Sequence, residues 1–302
     1  MNGINKNTKK QDKQVKLPTQ TLHNMTNNVN LSHHSPSNPK PSTTTRASIE
    51  ELADFLSLYA TSLLANGAYT SRIVRCTKRI GDSFGYEVNM IIWLKYITLN
   101  IAQKDNYNNR RTRVAPNSLV SMNLRIISDL SALSWQIYDN RITLKEANIR
   151  FQHIMSVKNH SFIATLFFAS LANATLCKLF NGDLGALLCV FVGTLVGFSL
   201  RFILNKLQID VRGILVLVAF ASSFTAYLGV SIGITSTPEI AVGCSIIYLI
   251  PGMQIINALV DILHEYTLMA VRRGINMCVW LTCIAIGGYM TLVIFKMSII
   301  NV

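Results

Sequence analysis

The chain changes character near residue 160. Beyond it, five apolar stretches, 162–177, 184–200, 213–238, 240–260 and 274–295, carry no Asp, Glu, Lys or Arg, and short polar turns separate them. Lipid offers no partner for a backbone N–H or C=O, so a helix of about 20 apolar residues is needed to cross about 30 Å of hydrocarbon. One such stretch can be a buried core helix; five in a row are membrane spans. The pattern predicts an all-α polytopic membrane domain over 161–302, with five transmembrane helices at about 162–180, 184–204, 213–234, 239–262 and 275–296.

Before residue 160 the periodicity is that of a water-soluble fold. Ser48 and Glu51 frame a capping box, and Leu52, Phe55, Leu56, Tyr59, Leu63 and Leu64 follow at helical spacing until Asn66-Gly67 stops the run. A second helix is predicted over 70–84, with Gly85 as its stop. The Ile, Val, Trp, Tyr and Thr content of 88–101 predicts a strand, and a charged turn over 104–111 leads to a returning one. Two more helices follow at 119–137 and 143–155. Residues 47–160 thus read as a small cytoplasmic α+β domain, large enough to bury a core. Residues 1–46 are polar, rich in Asn, Ser, Thr and Pro, and lack the apolar segment of a secretory signal; they read as a disordered tail.

Charge sharpens this picture. The formal net charge is +13, but the first 160 residues hold 21 of the 28 Lys/Arg and 10 of the 15 Asp/Glu, a net +11; the remaining 7 and 5 leave +2. Basic segments stay on the cytoplasmic side and face anionic lipid, so the surplus calls for a bilayer, and no nucleic-acid module accompanies it. Arg201, Lys206 and Arg212 follow the second span, Arg272 and Arg273 follow the fourth, and Arg150 and Lys158 precede the first; the opposite side has Lys178 and Lys296. This bias puts the N-terminus in the cytoplasm and Val302 outside.

Catalytic chemistry is hard to find. No Ser/His/Asp set, phosphate loop or metal-ligand spacing stands out. His23, His33 and His34 fall in the tail, His153 and His160 precede the membrane, and Asp54, Asp82, Asp129 and Asp139 are scattered as solvated helix-face residues would be. Cys76, Cys177, Cys189, Cys244, Cys278 and Cys283 form no C-x-x-C pair. The expectation is no enzyme, no cofactor, no metal and no disulfide.

The spans are more informative, because polar groups at bilayer depth mark pathways. The fourth carries Pro251-Gly252 near its middle, then Asn257 and Asp261 four residues apart on one face. A broken membrane helix frees backbone groups that transporters use for substrates and ions; a packing kink and an interfacial Asp261 would leave the same pattern. The first span offers Asn173 and Lys178, and its turn offers Asn181 and Asp183. Gly193-x-x-x-Gly197 and Gly229-x-x-x-Gly233 are small-residue faces for helix contacts within the chain or with a partner.

In order and spacing, several segments resemble the threonine/serine exporter family. They are Asn66-Gly67-Ala68-Tyr69-Thr70-Ser71-Arg72-Ile73, then Arg79-Ile80, Gly85, the stretch from Arg113 to Asn117, Cys177 to Gly182, Leu249-Ile250-Pro251-Gly252, Asn257-Ala258 and Asp261. The likeness is to the short form, the larger five-span subunit of a two-component succinate-type exporter. It covers about 50–300. Glu265 and Ala270 stand where small glycines are usual. The resemblance implies an exporter of small polar metabolites, either threonine/serine or a dicarboxylate, in a bacterial-type plasma membrane. It implies a separate small membrane subunit supplying a second five-span half, and it allows an oligomer. Gly67, Ala68, Thr70, Arg72 and Gly85 carry its signature in the cytoplasmic part. A membrane-anchored hydrolase and a non-transporting scaffold or sensor are the other classes the sequence admits.

Overall fold

A computed structural model describes residues 48–93, 95–116, 122–157 and 161–295. The expected tail over 1–46, and Asn117, Lys158, His160, Lys296 and Val302, lie outside the described residues. All that is described belongs to one compact unit, Thr45–Val302.

The capping chemistry works as its residues suggest. The Ser48 hydroxyl accepts from the Glu51 N–H at 3.2 Å and opens α1, Ile49–Ala65. Gly67 then takes φ +87°, a left-handed conformation cheap only for glycine, and turns the chain into α2, Thr70–Ser83. The expected single strand over 88–101 is two, β1 (Tyr86–Ile92) and β2 (Tyr96–Gln103), and β3 (Asn106–Pro116) completes an antiparallel meander in the order β1-β2-β3. The charged segment expected as a turn is mostly β3. Arg111 and Arg113 lie opposite Ile101 and Leu99 and reach Glu50 and Asp54 of α1, so their long stems cover the sheet while their charges stay at the rim. Helices α3 (Leu124–Asn140) and α4 (Leu144–Ser156) follow, capped by the Asn123 and Thr143 side chains.

The first core gathers around α1. Leu52, Leu56, Leu63 and Leu64 meet Ile73 and Ile80 of α2, Ile97, Leu99 and Ile101 of β2, and Leu130 and Leu133 of α3. The Tyr59 hydroxyl donates to the Leu130 carbonyl at 2.7 Å, and Phe55 packs edge-on against Phe151 at 5.9 Å. Met269, from the last helix of the chain, belongs to the same core. The α+β region and the apolar helices are therefore fastened through shared packing.

Among the described residues, four helices are long and apolar enough to cross a bilayer: α5 (Phe162–Leu179), α6 (Leu184–Lys206), α7 (Val211–Ser231) and α10 (Thr267–Ile294). The fourth expected span is broken. Its first half is α8 (Pro238–Cys244) with a 3-10 turn (Ile247–Leu249), and its second is α9 (Gly252–Leu263), bent by 58°; counted as one, the pair makes five. The last helix starts at Thr267, earlier than the expected 275, so Arg272 and Arg273 are helical rather than in a turn.

Small residues set the helix contacts. A methyl group at Gly197 would collide with Ser222 Oγ and Tyr248 OH, and one at Gly193 would lie 2.7 Å from the Ser222 carbonyl. Gly229 faces Cys189, and Gly287 faces the Val216 carbonyl. These glycines serve contacts within the chain, where close backbone approach strengthens packing that no hydrophobic force drives in lipid. Gly233 does not pack at all: it adopts φ +79° just past α7. The outer faces expose Ile163, Phe168, Leu188, Ile203, Leu217 and Val293, as lipid-facing surfaces do.

Candidate functional site

Proline decides where the broken span reopens. Ile250, ahead of Pro251, is pushed to extended geometry (φ −63°, ψ 125°), and the chain re-enters a helix only at Gly252. The second half, α9, is amphipathic in the sense opposite to a soluble helix. Ile256, Leu259, Ile262 and Leu263 are exposed, whereas Asn257, Ala258 and Asp261 are buried.

That buried polar stripe meets the Gly67–Thr70 loop. Asn257 Nδ2 donates to the Gly67 carbonyl at 2.8 Å. Asp261 accepts from the Thr70 N–H at 2.8 Å and from the Thr70 hydroxyl at 3.1 Å. Arg273 of α10 places Nε 3.1 Å from Asp261 Oδ2 and donates through Nη2 to the Ala68 carbonyl at 2.8 Å. The left-handed turn at Gly67 leaves these two carbonyls outside the α1 ladder, free to accept. The N-cap of α2, Tyr69, makes no side-chain cap, so a carboxylate from 191 positions away satisfies the first orphan N–H and meets the positive end of the helix. Asp261 is fully enclosed. Beside this junction Ser71 Oγ and Arg272 Nη1 are buried with no hydrogen-bond partner among the described residues.

Of the remaining signature residues, Arg72 lies over the Tyr69 ring, 4.9 Å from its centroid, and Gly85 takes φ +80° just after α2. Glu265, in the turn between α9 and α10, takes φ +63°, a left-handed position where a glycine would be unstrained.

Asp183 anchors the other end of the broken span. It caps α6 by accepting from the Ala186 N–H at 2.7 Å, and it also accepts from the hydroxyls of Thr235 (2.6 Å), Thr237 (3.2 Å) and Ser236 (2.9 Å) and from the Ser236 N–H (2.8 Å). These donors, led by the Thr235 hydroxyl, hold its carboxyl well below the usual carboxylate range. Asn181 supplies the left-handed C-terminal position of α5 (φ +63°), and Lys178 Nζ reaches the Gly182 carbonyl at 3.3 Å.

Asn173 is apart from both clusters. It is buried on α5 and donates to Thr194 Oγ1 at 2.7 Å and to the Cys244 carbonyl at 3.1 Å, where α8 ends. Nearby on the same seam, Ser222 and Tyr248 share a 2.9 Å hydrogen bond. The expected site residues therefore form three stations along the broken span: Asp183 at its start, Asn173 at its interruption, and Asn257 with Asp261 at its end. The sequence reading missed Thr194, Cys244, Tyr248 and the pairing of Arg273. Arg273 counted there only toward charge bias, although it lies on the far side of a single turn from Asp261.

The threonine/serine exporter family model matches residues 54–295, from within α1 to the end of α10. The chain belongs to the threonine/serine exporter family. The match takes in both the Gly67–Thr70 loop and the broken span that grips it. Two curated relatives, from Klebsiella aerogenes and Escherichia coli (strain K12), are each named "Probable succinate transporter subunit YjjP". Each is 24% identical over 234 residues; the alignments cover 76% of this chain and 89% and 90% of the relatives. No solved structure gives a significant match. Family membership and the apolar helices make the chain a multi-pass membrane transporter protein rather than an enzyme.

Proposed function

We propose that the chain is one subunit of a secondary-active exporter of small polar metabolites, threonine/serine or a dicarboxylate such as succinate. An ion gradient, most simply of protons, drives it, and a second small membrane subunit completes it. The chain crosses a bacterial-type plasma membrane five times, with the α8–α9 pair as one crossing, the N-terminus in the cytoplasm and the C-terminus outside.

The observation that carries this reading is the break itself: in an exporter-family chain, one apolar span opens at Pro251-Gly252 and presents buried polar side chains inward. Asn257 holds substrate and Asp261 carries the coupling ion at the cytoplasmic mouth. In the arrangement seen here both are occupied by the Gly67–Thr70 loop, so transport requires that latch to open. Ser71 and Arg272 are donors suited to a substrate carboxylate, which amino acids and dicarboxylates share. Lys178, Asn181 and Asp183 shape the outer mouth. The relatives' printed names support both the dicarboxylate and the partner.

Co-expression with the neighbouring small membrane subunit, followed by measurement of threonine, serine and succinate in the medium, tests this. Export that needs both subunits supports it, and so does its loss in Asp261→Asn at normal membrane abundance. Failure to export any of the three with both subunits in the membrane refutes it. Protease access from each face tests the orientation.

A further inference from the structure

Asn173 is over-committed on one side and empty on the other. Both of its N–H bonds are used, toward Thr194 Oγ1 and the Cys244 carbonyl. Its Oδ1 is enclosed and finds no hydrogen-bond partner among the described residues. The amide cannot be turned round to cure this. A carbonyl only accepts, so nitrogen must face Cys244. The Thr194 hydroxyl spends its hydrogen on the Val190 carbonyl at 2.7 Å, so it too must accept from Asn173. The orphan is therefore an acceptor, fixed in direction by the bonds around it. An unsatisfied buried acceptor is destabilising, and the bilayer interior holds no bulk water to relieve it.

Its surroundings define what would fit. Cys244 ends α8, and regular α-helix does not resume until Gly252. The side chain it bonds, Thr194, is a neutral hydroxyl. No Lys or Arg lies in α5 before Lys178, in α6 before Arg201 or in α7 after Arg212, so no countercharge for an anion lies within one helical turn of Asn173 or Thr194 along their own helices. No Asp or Glu lies in those stretches either, and a divalent cation would demand carboxylates.

We propose that Asn173 Oδ1, at the carbonyl end of α8, is a binding site for a small monocation: an alkali ion coupled to transport, or the primary ammonium group of an amino-acid substrate. This deepens the exporter reading and rests on it: Asn173 is a second station on the route, occupied in turn with the one at Asn257 and Asp261. The test is thermal melting of the purified full chain with its partner subunit, wild type against Asn173→Leu and Asn173→Ala. Ligand arms are NaCl or KCl against choline chloride, and L-threonine against succinate at constant salt. A shift with alkali salt alone assigns the coupling ion, and a shift with threonine alone assigns the substrate ammonium. In either case the apparent Kd weakens at least about tenfold in both variants, since the ion–dipole contact of an alkali ion, or the charge-assisted hydrogen bond of an ammonium, is lost. A wild type indifferent to alkali ions and threonine overturns the proposal, with water as the filler of the site, and this holds even if the variants fail to fold. So does a shift that survives in the variants, or one given by succinate and lost in them. Failure of export in cells would strike the exporter reading and leave this binding measurement standing.

Discussion

Arg273→Met removes a guanidinium and keeps most of an apolar stem, so it loosens the α2–α9–α10 junction without emptying it. An exposed ion pair is worth about 0–1 kcal/mol. This one is different: the Asp261 side chain is 0% exposed and that of Arg273 12%. Losing one partner of a buried pair costs about 3–5 kcal/mol, because the other charge stays buried with less to hold it. The Ala68 carbonyl also loses a donor at 2.8 Å. The loss falls on the loop, which is tied to α9 and α10 through these bonds, so it appears as local opening. Hydrogen exchange of the full chain in nanodiscs reads this at the Thr70 amide, which donates to Asp261. Exchange over residues 66–72 should quicken on the order of 10²-fold to several 10³-fold, the equivalent of about 3–5 kcal/mol. Asp261→Ala should do the same, and the double variant should be no worse than either single, since the pair acts as a unit. Amides of β1 and β2 serve as the internal control. Wild-type exchange at Thr70 in Arg273→Met, or simple additivity of the two effects, would refute the reasoning.

Three further outcomes follow from the same structure. Asp183 is held below the usual carboxylate range, so the stability it contributes is present above its ordinary pKa of about 4 and is lost as pH falls below that toward its folded value; melting scans across acid pH should show this limb flattened in Asp183→Asn. Gly185→Ala should lower membrane abundance and melting temperature, at about 1–3 kcal/mol, because the methyl meets the Ile234 backbone, whereas Gly243→Ala has open space and should melt like the wild type. The Asp54–Arg113 pair spans 2.7 Å but its side chains are 66% and 41% exposed, so Asp54→Asn should cost less than about 1 kcal/mol, and added salt should erase the difference.

Much of the architecture is legible because its causes are local. A span announces itself by about 20 apolar residues, since lipid demands that each segment satisfy its own backbone. Caps are equally local: Ser48, Asn123 and Thr143 each bond an amide three residues on. Pro251-Gly252 predicted an interruption, but α8 already ends at Cys244, well before the proline, and a 3-10 turn, Ile247–Leu249, fills part of the gap. The 106–111 segment misled too. Its polar residues have the composition of a turn, yet pairing with β2 and the carboxylates of α1 makes it a strand.

What the sequence determined by itself is a chain half made for water and half for lipid, with one span broken and polar groups stranded inside it. Tertiary structure alone decided what those groups touch. Thr70 and Asp261 stand 191 positions apart, Gly67 and Asn257 190, and Asn173 and Cys244 71. Periodicity reports which face of a helix is buried, and spacing reports which residues share it, but neither reports the partner on the other side. That depends on how the loop after α1 docks on α9 and α10, a matter of three-dimensional packing between segments far apart along the chain.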